Sequence, residues 1–78
     1  MKLTNIHNDR AEKIIVEGEN KSFTVFSLDG QVYTIYHRIY KGEYYDVLEM
    51  ITKSNDVEIT TFYLLDPDEV KELLKNLK

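Results

Sequence analysis

The chain contains no cysteine, which removes disulfides and thiolate metal sites from consideration. Its only imidazoles are His7 and His37, too few for a conventional zinc site. No run approaches the roughly 18 apolar residues that a membrane-spanning helix requires, and Met1 to Asn20 has no signal-peptide core. A Gly-rich phosphate loop, an EF-hand pattern and a His-Glu-x-x-His motif are all missing. These absences lead us to expect no cofactor, no metal, no membrane association, no enzymatic activity and a cytoplasmic location. What is present is ordinary for a folded domain: 42% hydrophobic and 31% charged residues, a mixture that disfavours intrinsic disorder. With 78 residues the expectation is one domain over 1–78, with residues 1–12 flexible or loosely attached. A chain of this mass buries only about 63% of its extended surface. Oligomerisation, or an unusually complete core, is then the remaining support.

Strand and turn signals dominate the middle of the chain. Ile14-Ile15-Val16 is a β-branched run that favours a strand over 13–17, and Gly18-Glu19-Asn20-Lys21 reads as a turn. Strands follow at 22–28, 31–40, 43–53 and 57–65. Asp29-Gly30 between apolar runs suits a type I′ hairpin, Lys41-Gly42 a second two-residue turn, and Ser54-Asn55 a third. Asp66 is an N-cap candidate, Pro67 fits the first helical position and Glu69 completes a capping box. Val70, Leu73, Leu74 and Leu77 form one apolar stripe, so a helix over 67–77 has one buried side. The fold class is therefore α+β: a small antiparallel β-meander of four to five strands with one C-terminal α-helix packed on one face.

Pairing through two-residue turns assigns every side chain to a face. The core face carries Phe26, Leu28, Tyr33, Ile35, Ile39, Tyr44, Leu48, Met50, Val57, Ile59, Tyr63 and Leu65. The opposite face is also apolar, with Phe23, Val25, Val32, Tyr36, Tyr40, Tyr45, Val47, Ile51, Phe62 and Leu64. One short helix cannot cover both. The second face needs the N-terminal segment, a second copy of the chain, or a partner. Tyrosine dominates it, and tyrosine suits surfaces that are wet when free and dry when bound. Tyr36, Tyr40, Tyr45 and Phe62, with Arg38, Glu43, Glu49 and Glu58 among them, are the candidate partner-binding residues.

Other polar groups have bland explanations. His37 and Asp46 fall opposite each other on the core face, where a carboxylate can orient an imidazole. A satisfied polar pair is the simpler reading, because no Ser, Cys or Lys nucleophile stands beside them. Asn5, His7 and Asp9 read as flexible terminal polar residues, and Asp66, Asp68 and Glu69 as helix capping.

Charge gives the functional direction. Residues 1–42 carry six basic and five acidic side chains, whereas residues 43–72 carry nine acids against Lys53 and Lys71, a net of −7. Such a segment repels phosphate backbones and attracts a basic protein surface. The expected function is a small acidic inhibitor or accessory factor, of phage or mobile-element type, that occludes a larger protein with a basic, nucleic-acid-handling surface. A homo-oligomer, most simply a dimer, is expected alongside it. The strand-to-helix junction Leu64-Leu65-Asp66-Pro67-Asp68-Glu69 loosely resembles that of the PC4-like single-stranded-DNA-binding coactivators. That resemblance, over about residues 23–77, implies a curved four-stranded sheet, a dimerising C-terminal helix and direct binding of single-stranded nucleic acid. A structural homo-oligomer is the third alternative.

Overall fold

The computed structural model describes residues 4–28 and 30–75. Its elements run β1 (Thr4–Ile6), α1 (Asn8–Glu17), β2 (Glu19–Leu28), β3 (Gln31–Tyr40), β4 (Glu43–Ser54), β5 (Val57–Leu65) and α2 (Pro67–Lys75). The five strands form one antiparallel sheet in the order β1-β5-β4-β3-β2. The fold is a small α+β meander whose C-terminal helix follows the last strand. Among the described residues, no helix is long and apolar enough to cross a membrane.

Three two-residue turns set the register. Lys41 and Gly42 have φ of 52° and 78°, and Gly30 has φ of 79°, the left-handed values that type I′ hairpins need. Asp29 lies outside the described residues. The third turn is Asn55-Asp56, with φ of 48° and 66°, closing Ser54 onto Val57. It therefore sits one residue beyond the expected Ser54-Asn55. Moving the turn by one residue shifts the β4–β5 pairing by two, so every side chain keeps its expected face.

The N-terminal third differs from the expectation. Residues 13–17 are helical, not extended, and the fifth strand is Thr4–Ile6, paired with Phe62–Leu64 of β5. His7 caps α1: its Nδ1 accepts from the Asp9 amide at 3.3 Å. Ala11, Ile14 and Ile15 then fall on one helical side, and burying that side outweighs the weak strand preference of three β-branched residues. Ile6, Ala11 and Ile14 are buried with Val47 and Phe62. Residues 4–12 thus contribute to the core rather than lying loosely against it.

Each face of the sheet is covered over part of its area. On one, Phe26, Ile35, Leu48 and Leu65 are buried beneath Val70 of α2, with Tyr33 and Tyr63 around them. The Phe26 and Tyr33 rings stack at 5.0 Å. Glu69 Oε1 accepts from the Asp66 amide at 3.1 Å, which is the return half of the capping box. The side chains of Leu28, Leu73 and Leu74, and the whole of Leu77, lie outside the described residues. On the other face α1 packs over β3, β4 and β5.

Candidate protein-binding surface

The second sheet face is covered by the chain itself where α1 crosses it. Phe62 is buried in the cluster beneath α1, and Tyr36, Tyr40, Tyr45 and Leu64 pack against that cluster. Of the expected partner-binding residues, Phe62 is therefore buried and Tyr36, Tyr40 and Tyr45 are half-buried against the core beneath α1. The Tyr45 hydroxyl donates to Glu43 at 2.8 Å, and the Tyr36 hydroxyl donates to Glu49 at 3.2 Å. The bond to Glu43 raises the Tyr45 pKa; for Tyr36, burial raises it first and the Glu49 carboxylate second. Partial burial and Asp46 likewise raise Tyr44.

Arg38 is a structural clasp. Its side chain is buried on the α1 face at 5% exposure, yet no carboxylate pairs with it among the described residues. Main-chain carbonyls hold the charge instead. Nε donates to Ile15 at 2.9 Å, and Nη1 donates to Ser22 at 2.6 Å, His37 at 3.0 Å and Asn20 at 3.3 Å. The Ile15 carbonyl belongs to the last turn of α1, where the helix dipole is negative and favours a cation. Asn20 and Ser22 flank the irregularity at the start of β2, where the pairing shifts between Glu19 and Ser22 and Asn20 has φ of 62°. One guanidinium thus joins α1, β2 and β3.

Beyond α1 the same face is open. Phe23, Val25 and Val32 are 59%, 56% and 48% exposed. Val25 stands beside Thr34, Val32 beside Ile51, and Phe23 beside Tyr36. Val32, Ile51, Lys53 and Glu58 line a shallow hollow of about 450 Å³. Lys53 lies 3.9 Å from Glu58, and Asp56 is exposed at the adjoining turn. This is an apolar strip on a rigid sheet with acidic groups at its border. Of the expected residues, only Glu58 belongs to it directly; Glu49 sits where the strip meets Tyr36. Glu43 is exposed at the far end of β4, away from the hollow.

The opposite face carries one polar chain. His37 and Asp46 are opposite each other as expected, with Nδ1 and Oδ1 2.6 Å apart. A carboxylate accepts, so Nδ1 donates to Asp46, and Nε2 shares a hydrogen bond with the Thr24 hydroxyl at 3.0 Å. Thr24 lies diagonally across from His37 in the β2–β3 register; that diagonal was the available signal for it. The order hydroxyl, imidazole, carboxylate is the one that activates nucleophiles. The chain of groups joins β2, β3 and β4 across the sheet. Among the described residues, no three His, Asp or Glu side chains converge to hold a metal ion. His7 and Asp9 are accounted for by the cap of α1, and Asn5 lies in β1 opposite Tyr63.

Comparison of the chain with protein-family models, curated proteins and solved structures finds no match.

Proposed function

We propose that the chain is a non-enzymatic binding protein, an inhibitor or accessory factor that docks on a larger protein with a basic surface. The observation that carries this reading is the strip Phe23, Val25, Val32 and Ile51, left open beyond α1 and bordered by Glu58 and Asp56. Apolar groups that exclude water at the centre and charges at the rim are the usual division of labour in an interface. The acidic stretch 43–72, net −7, steers a basic partner towards that strip. The alternative, direct binding of single-stranded nucleic acid, asks for stacking aromatics in a basic groove. Here the tyrosines lie against α1 and Arg38 is engaged by carbonyls.

Affinity capture from the native host, with the full chain as bait, tests this. A basic partner should be retained at low salt and released as salt rises. Retention should be lost in Val32→Lys/Glu58→Lys and kept in Glu12→Lys, on the exposed side of α1. A labelled single-stranded oligonucleotide should not bind at about 50 mM salt, where phosphate contacts are strong. Oligonucleotide binding that weakens in Tyr36→Ala, or partner retention indifferent to the strip variant, overturns the proposal.

A further inference from the structure

The two edges of this sheet are not alike. β1 is three residues long and leads directly into α1, which is the short, guarded edge that discourages pairing. β2 is ten residues long, and among the described residues nothing pairs with its outer side. From Ser22 to Leu28 the sequence is Ser-Phe-Thr-Val-Phe-Ser-Leu, without a charge or a proline. The irregularity in this strand is confined to Glu19–Ser22. None of the usual devices that blunt an edge is present over those seven residues.

The hairpin fixes which main-chain groups face outward. A two-residue turn is closed by a hydrogen-bonded pair, here Leu28 and Gln31. Bonded and non-bonded pairs then alternate along an antiparallel ladder. Leu28, Phe26, Thr24 and Ser22 direct their N–H and C=O groups to β3. Ser27, Val25 and Phe23 direct theirs away from the sheet. The outward groups belong to residues whose side chains lie on the open strip, where Phe23 and Val25 are more than half exposed.

We propose that β2 pairs antiparallel with β2 of a second copy, about a two-fold axis at Thr24, to give one continuous ten-stranded sheet. In that register Phe23 stands opposite the partner's Val25, and Val25 opposite the partner's Phe23, each exchanging main-chain hydrogen bonds. Thr24 meets the partner's Thr24 as the closer, non-bonded pair. Aromatic against β-branched and threonine against threonine are both favourable cross-strand combinations. From Lys21 to Ser27 no like charges meet, since Lys21 falls opposite Ser27. The acids of residues 43–72 sit on β4, β5 and α2, away from this edge, and residues 1–42 are nearly neutral at +1. Self-repulsion is therefore weak where the copies touch. The product is an interface in which one partner's open strip continues into the other's.

Sedimentation of the full chain tests the pairing. Wild type at micromolar concentration should sediment as twice its 9.2 kDa mass. Val25→Lys places a charge beside the axis, opposite the partner's Phe23, and should weaken association at least tenfold. Val25→Pro should do the same by removing an outward N–H, a position where an edge strand tolerates proline. Far-UV circular dichroism shows whether each variant is folded; should the proline variant fail, the lysine variant decides. Val57→Lys, on the other face, should leave the mass unchanged. Register is read by single cysteines, which the wild-type chain lacks: Thr24→Cys should oxidise to a covalent dimer faster than Ser27→Cys. A monomer at about 100 μM, well above the association range expected of a specific dimer, overturns the proposal. So does a dimer indifferent to both Val25 variants, or faster cross-linking at Ser27.

Discussion

Replacing Arg38 by methionine isolates the clasp between α1 and the sheet. Methionine retains most of the aliphatic stem and none of the donors. The substitution removes the bonds to Ser22 at 2.6 Å and Ile15 at 2.9 Å, the two shortest that cross between elements, and leaves both carbonyls in a site where the side chain was 5% exposed. A hydrogen bond to a charged group contributes about 1.5–3 kcal/mol, so two of them set an upper range of roughly 3–6. Relief from burying an unpaired guanidinium returns part of this. We expect a net loss of about 3 kcal/mol. A chain of 78 residues has about 4–12 kcal/mol of stability at the usual 0.05–0.15 per residue, so the change is a large fraction of the whole. With a urea slope of about 1 kcal/mol per molar, the unfolding midpoint followed by circular dichroism should fall by about 3 M. Arg38→Lys keeps the charge without the fork and should lie between methionine and wild type. A methionine variant within about 0.5 kcal/mol of wild type, or more stable, refutes the clasp: the desolvation penalty would then have outweighed the four carbonyl contacts.

Three other outcomes follow from the same arrangement. Gly18→Ala should lose about 1–3 kcal/mol in urea unfolding, because its Cβ would fall on the Ile14 carbonyl oxygen and 2.9 Å from Arg38 Cβ. Ile14→Ala should lose about 3 kcal/mol by opening a cavity under α1, lowering Tm by roughly 12 °C or more at this size; deletion of residues 1–12 should abolish cooperative unfolding. Tyr36 is held protonated beyond its ordinary pKa of 10.0, by burial first and Glu49 second, so the unfolded chain ionises before the folded one. The contribution of Tyr36 to stability should be complete below about pH 10 and decline as pH rises through its folded value, and Tyr36→Phe should lessen the decline seen in alkaline denaturation.

Much of the sheet was legible because its signals are local. β3 and β5 fall where expected, since glycine or asparagine at the turns and alternating apolar residues specify register within a dozen residues. The His37–Asp46 pair follows from that register alone. α1 was not legible as a helix. Ile14-Ile15-Val16 shows a strand preference, while the opposing evidence is an unusual histidine cap and a burial partner, Phe62, that lies far along the chain. Arg38 illustrates a deeper limit. Its acceptors are the carbonyls of Ile15, Asn20 and Ser22, and every residue type has a carbonyl, so the pattern leaves no mark in residue identity. The tyrosines were legible as one face; that α1 covers part of it was not, because the covering segment shows a local strand preference.

The pairing of Thr4–Ile6 with Phe62–Leu64 also dictates a sequence of events on the ribosome. Hairpins β2–β3 and β3–β4 can close as soon as each second strand emerges, because their partners are neighbours in the chain. β1 and α1 are made before the hairpins, yet the strand that pairs with β1, Phe62–Leu64 of β5, is translated only after β4. Until then Ala11 and Ile14 can reach Val47 but not Phe62, and the clasp from Arg38 can seat the end of α1 before its beginning is anchored. In that order of synthesis α1 can dock at one end while its other end waits for β5.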